Sequence, residues 1–134
     1  MKIDFLSQPY VIYINDSIEG SLRLEKDYIF KIDGLTFVID KGFIYDGTSV
    51  PSFAWSLFKF ERRGIHDPAG IVHDYLYRNG FLKTMAGSEV FFTRKQADLL
   101  FKDMLDYLGI KSWLAKLAYV GVRWFGKSSW KRKS

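Results

Sequence analysis

The chain reads as an α+β protein: a small antiparallel β-sheet near the N-terminus, followed by three to four packed helices. Three observations predict this. Two β-rich runs, Tyr28-Ile29-Phe30-Lys31-Ile32 and Leu35-Thr36-Phe37-Val38-Ile39, flank Asp33-Gly34. Asp-Gly in that position favours a type I′ hairpin turn, which needs positive φ at both residues. Further on, Ala97, Leu100, Phe101, Met104, Leu105 and Leu108 recur at i, i+3, i+4, i+7, i+8 and i+11, one face of a helix. Between them, Asp67-Pro68 is a helix start, with Asp as N-cap and Pro at the first helical position.

The elements follow in order. Tyr10 to Ile14 is β-branched and aromatic and is expected to be a strand, closed by the turn residues Asn15-Asp16-Ser17. Ser21 to Glu25 is a weaker strand. After the hairpin, Asp40-Lys41-Gly42 turns again and Phe43-Ile44-Tyr45 forms a last short strand. The first third is thus expected to be the sheet. Asp46-Gly47-Thr48-Ser49-Val50-Pro51 ends it, because Pro51 removes a donor and pushes Val50 out of the α region. Ser52 can cap a short aromatic helix over Phe53 to Phe60.

The helix from Asp67 is expected to reach about Arg78 and to stop at Asn79-Gly80. Gly80 to Phe92 reads as a loop. Thr93 and Gln96 can form a capping box for the helix through Leu108, which Gly109 ends. Ser112 is expected to cap a last helix, Trp113 to about Phe125, with Gly126 as its stop. Neither an internal repeat nor a linker is seen, so residues 1–126 are read as one domain and residues 127–134 as a basic tail.

Composition sets the limits on function. The 134 residues are 48% hydrophobic and 18% aromatic, enough for a core dominated by large side chains. There are no cysteines, which removes disulfides, thiolate ligands and Cys nucleophiles together. The N-terminus lacks a long apolar stretch, so no signal peptide is expected. No run reaches the roughly 18 apolar residues that span a bilayer. The net charge of +5 is partly terminal, with Lys127, Lys131, Arg132 and Lys133 around Trp130. Such an end can touch an anionic membrane surface, or it can be a solvated terminus. The basic residues form no stripe, and nothing resembles a recognition helix, so no specific nucleic acid is expected.

Chemistry concentrates at His73-Asp74-Tyr75-Leu76-Tyr77. A His and an Asp inside an apolar helix are costly unless paired or used. His73 and Tyr77 stand one above the other at i, i+4. Asp98 lies on the flank of the next helix's apolar stripe, where it can reach another element. Asp103 and Asp106 face solvent. A carboxylate that accepts an imidazole N–H fixes the tautomer and lets the other nitrogen take a proton from water. The same residues can instead form a buried structural network. Gly70 lowers helix propensity, which a close approach by another group would explain. Asp46 and Ser49, on the turn after the sheet, either join the site or close the turn. His66 is read as exposed or structural, and Asp67 as a cap. Walker, GxGxxG, HExxH and GxSxG motifs are absent, so no organic cofactor is expected.

Gly42-Phe43, Asp46, Ser49-Val50-Pro51, His73-Asp74-Tyr75-Leu76-Tyr77, Ala97-Asp98 and Tyr119…Val122-Arg123…Phe125-Gly126 together form a signature. Over roughly residues 20 to 126 it resembles a family of small bacteriophage and prophage proteins described as a domain of unknown function. That resemblance implies a viral or prophage origin, action in the host cytoplasm or the virion, and a virion or host protein as partner. A second, local resemblance joins His73-Asp74-x-x-Tyr77 and Ala97-Asp98 to the core of phospholipase A2-like domains, especially the cysteine-free versions of parvovirus capsid proteins. It implies His73 as water-activating base, Asp98 as its orienter, Tyr77 as support for Asp98, and Asp74 as ligand of calcium or another divalent cation. That family has a glycine-rich calcium loop upstream of its His helix; the upstream candidate here is Tyr45-Asp46-Gly47-Thr48, which departs from that pattern and is followed by a long aromatic insertion.

Two functions follow. One is a hydrolase built on His73 and Asp98. The other is a non-catalytic phage structural, tail-assembly or host-interaction protein in which the same block is a core network.

Overall fold

The computed structural model describes residues 1–13, 22–45 and 67–130. Among these the chain forms eight strands and three α-helices, an N-terminal antiparallel sheet followed by helices. The strands are β1 (Ile3–Leu6), β2 (Val11–Tyr13), β3 (Leu22–Leu24), β4 (Tyr28–Ile32), β5 (Leu35–Ile39), β6 (Ile44–Tyr45), β7 (Phe81–Thr84) and β8 (Glu89–Phe91). The helices are α1 (Asp67–Asn79), α2 (Arg94–Tyr107) and α3 (Ser112–Phe125), the last followed by a 3₁₀ turn, Lys127–Ser129.

The β4–β5 hairpin is the anchor. Asp33 and Gly34 take φ of 51° and 81°, the left-handed pair that a type I′ turn demands. The register is regular, from Tyr28 opposite Ile39 to Ile32 opposite Leu35. Alternation puts Tyr28, Phe30 and Ile32 on one buried face and Ile29 and Lys31 on the other. Phe30 stacks on Tyr28 at 5.4 Å and on Phe37 at 5.6 Å.

Three local expectations change. The sheet is two sheets: a five-stranded one in the order β1-β4-β5-β7-β8 and a three-stranded one in the order β2-β3-β6. The N-terminal residues contribute β1, which pairs with β4 across an irregularity between Ile3 and Phe5. Its Lys and Asp neighbours hid it, yet they hold the hairpin: the Lys2 N–H donates to Asp33 and the Gly34 N–H to Asp4, each at 2.8 Å. The segment read as a loop, Gly80 to Phe92, is the β7–β8 hairpin, with Phe37 opposite Thr84 and Val38 opposite Lys83. Strands of four and three residues carry little periodicity of their own. What orders them is the long-range edge of β5.

The helices follow their local chemistry more closely. Thr93 caps α2 with the full capping box: its hydroxyl accepts from the Gln96 N–H at 3.1 Å, and Gln96 Oε1 accepts from the Thr93 N–H at 2.8 Å. Gly80 ends α1 at φ 80°, with its N–H on the Leu76 carbonyl at 2.7 Å. Ser112 is not a cap. It is the first residue of α3, and Lys111 stands before it without a side-chain bond. The short helix expected at 53–60 lies outside the described residues.

Helix α1 packs on α2, and α2 on α3, while α1 also touches β6 and β7. One core joins Phe30, Phe37 and Leu82 of the sheet to Leu76, Leu100 and Met104 of the helices. Each fully buried side chain of this size contributes about 1.5–3 kcal/mol. The N-terminal ammonium reaches α2 at Asp103, 3.0 Å away. Trp130, within the segment read as a tail, packs edge-on against Tyr77 at 5.1 Å. No helix of the described residues is long and apolar enough to cross a membrane.

Candidate active site

Asp98 is the centre of a polar cluster inside this core, with a side chain at zero exposure. It sits in the first half of α2, on the flank of the stripe formed by Ala97, Leu100, Phe101 and Leu105, so it faces α1 and α3 rather than solvent. A carboxylate there requires donors from its neighbours, and it finds them on both sides.

From α1, His73 Nε2 lies 2.8 Å from Asp98 Oδ1, and the Tyr77 hydroxyl donates to the same oxygen at 2.7 Å. The i, i+4 spacing of His73 and Tyr77 makes this convergence a direct product of helix geometry. From α3, Arg123 Nη1 donates to Oδ2 at 2.8 Å. From α2 itself, Arg94, four residues before Asp98, places Nη1 3.5 Å from Oδ2 as an ion-pair partner. Arg94 also donates to the Val122 carbonyl at 3.0 Å and the Arg123 carbonyl at 3.2 Å, near the end of α3. These bonds tie three helices through one carboxylate.

The carboxylate only accepts, so His73 Nε2 carries the proton of that bond. In the neutral ring the lone pair then falls on Nδ1. The ring lies 4.3 Å from that of Tyr77 and 4.6 Å from that of Phe101, centroid to centroid. Burial, and next the Asp98 charge with its hydrogen bond, push the Tyr77 phenol well above its ordinary value. Tyr77 therefore remains a hydroxyl donor across the physiological range.

Of the residues expected at the site, His73, Tyr77 and Asp98 come together. Asp74 is equally buried, and its Oδ2 receives Arg78 Nη2 at 3.2 Å. Asp46, Ser49 and His66 lie outside the described residues. Asp103 and Asp106 pair at the surface, with the N-terminus and with Lys102. The close approach expected at Gly70 is a side chain: a Cβ there would meet the Tyr45 ring, with Cζ at 2.7 Å.

Two members, Arg94 and Arg123, have no expected role in the sequence, although Arg123 falls within the signature. Arg94 was visible as a cation four residues before Asp98. Arg123 was visible as a cation within the otherwise apolar second half of α3.

Calcium takes about six to eight oxygen ligands. Among the described residues, no three His, Asp or Glu side chains converge on one point. At Asp74 one carboxylate oxygen receives Arg78, and residues 46–48 of the expected calcium loop lie outside the described residues.

These observations define a class: an α+β protein with helices locked together by a buried His–Asp–Tyr cluster and two arginines. The chain belongs to the family described as protein of unknown function (DUF1353), whose pattern matches residues 22–122. That span runs from the start of β3 through His73, Tyr77, Arg94 and Asp98 and stops one residue before Arg123. Comparisons with curated proteins and with solved structures return no match.

Proposed function

We propose that this protein is a hydrolase encoded by a bacteriophage or prophage, with His73 as general base and Asp98 as the group that orients it. One observation carries the reading: a single oxygen, Asp98 Oδ1, meets both His73 Nε2 and the Tyr77 hydroxyl, from one face of one helix. The resulting tautomer has its basic nitrogen at Nδ1. Once the groups around the ring have moved, it takes a proton from water there as the water oxygen bonds to an ester carbonyl carbon. When the tetrahedral adduct collapses, the C–O bond to the alcohol breaks and the imidazolium returns the proton to that oxygen. His73 is 1% exposed, so substrate reaches it only when the groups above it move. The phage setting rests on the signature that runs from Gly42-Phe43 to Gly126.

His73→Gln tests this on a panel of carboxylic esters that starts with phospholipids. General-base assistance gives roughly a 10²–10⁴-fold effect, so turnover should fall by that factor in a variant that still folds. Full turnover in the variant, or no turnover of any ester by the wild type, overturns the proposal.

A second reading is favoured by the zero exposure of Asp98 and its bonds from three helices. In it the cluster is a structural cross-link in a non-catalytic virion, tail-assembly or host-interaction protein. That reading predicts a large loss of stability in His73→Gln and no hydrolytic activity in the parent.

A further inference from the structure

Helix α3 has two faces of opposite use. Leu114, Ala115, Ala118, Gly121 and Val122 are buried against the core. Trp113, Leu117, Val120 and Trp124 are 59, 43, 43 and 76% exposed. Their spacing of i, i+4, i+7 and i+11 lines them into one stripe along the helix. Leaving two tryptophans in water at that spacing forfeits the burial that large aromatic side chains normally gain. Trp113, Leu117 and Val120, with Ser112 and Lys116, line an open groove of about 570 Å³.

The charge carried by this end of the chain has one sign. Every charged side chain after Asp106 is Lys or Arg. Lys111, Lys116 and Lys127 are exposed, and Lys116 lines the groove. A second copy of the chain set against this face would add like charge, with no carboxylate on either helix to pair it. An anionic, apolar partner meets both features at once.

We infer that the exposed stripe of α3 is a docking surface for an anionic lipid bilayer. A helix of 14 residues is about 21 Å long. Lying in the plane of the interface, it would sink its aromatic side to about 5–10 Å while lysines stay at the headgroups. Trp113 and Trp124, near opposite ends of the helix, sit at the depth where tryptophan is enriched. The contact differs from the one expected around Trp130, whose ring packs inward on Tyr77. It is independent of ester hydrolysis, since none of these side chains bonds to His73 or Asp98.

Flotation of the full chain with vesicles tests it. One set is phosphatidylcholine alone and the other contains phosphatidylglycerol as well. The wild type should float with the anionic set, with a blue shift in tryptophan emission and release at high salt. Trp113→Ser combined with Trp124→Ser should abolish flotation with little change in the melting midpoint, because both residues are mostly exposed. Lys116→Glu should weaken binding by at least about fivefold. Flotation absent in both sets, or unchanged in the double variant, overturns the inference. A dimer that the double variant dissociates also overturns it and assigns the stripe to a second copy. Either failure leaves the His73 hydrolysis test standing.

Discussion

Arg123 and Asp98, on different helices and 25 residues apart, meet at 2.8 Å between Nη1 and Oδ2. Asp98 is fully buried and Arg123 only partly so. This pair ties the far end of α3 to the carboxylate that also holds His73. It makes the cluster a matter of stability as much as of chemistry.

Removing that guanidinium while keeping its bulk should be costly. Arg123→Met is expected to destabilise the protein by about 3 kcal/mol in urea unfolding, as for other buried pairs broken on one side. Arg94 remains 3.5 Å from the same oxygen and limits the damage. A double-mutant cycle with Asp98→Asn should show a coupling of about 0.5–3 kcal/mol. Additive effects would mean that the two groups do not interact in solution.

Gly70 allows a test whose sign separates packing from propensity. Helix propensity alone predicts that Gly70→Ala stabilises α1 by about 1 kcal/mol. The Tyr45 ring against Gly70 predicts the reverse, a loss of about 1–3 kcal/mol from overpacking. A rise in melting midpoint would show that Tyr45 does not press on α1.

Alkaline pH should unfold the protein through two tyrosines. Burial pushes the Tyr28 phenol far up, and its hydroxyl has no hydrogen-bond partner among the described residues. Burial followed by Asp98 does the same to Tyr77. A phenol whose folded-state value lies above the ordinary 10.0 contributes stability that is fully present below that pH. The contribution is lost as pH climbs towards the folded-state value, because the unfolded chain releases its proton first. Stability should therefore fall above about pH 10 by up to about 1.4 kcal/mol per pH unit for each tyrosine. Tyr28→Phe and Tyr77→Phe should each flatten the slope. An unaltered slope in both would reject the assignment.

Calcium should leave the melting midpoint unchanged, because Arg78 already bonds to Asp74. A resident ion at about 100 times its dissociation constant would add about 2.7 kcal/mol. Thermal unfolding with calcium and with chelator, for wild type and Asp74→Asn, decides this. A calcium-dependent rise that disappears in Asp74→Asn would place a cation there.

Where a few neighbouring residues set the conformation, the linear reading was sufficient. Asp33-Gly34 dictates its hairpin through φ alone, Thr93 and Gln96 close their own capping box, and the apolar period from Ala97 to Leu108 marks one face of α2. The same helical arithmetic put His73 above Tyr77 and set Asp98 apart from Asp103 and Asp106. None of this needs a contact from far along the chain.

What depended on distant partners could only be seen in three dimensions. Residues 81–91 become a hairpin because β5 offers an unpaired edge, and Ile3–Leu6 become a strand because β4 does. Arg123 stands in the signature with no role attached, and its pairing with Asp98 becomes apparent only once α3 packs beside α2. Trp130 turned inward for the same reason, against a ring on α1. Local propensities act over a few residues. Burial of a carboxylate, and the choice of which cations follow it into the core, are settled by the packing of whole helices.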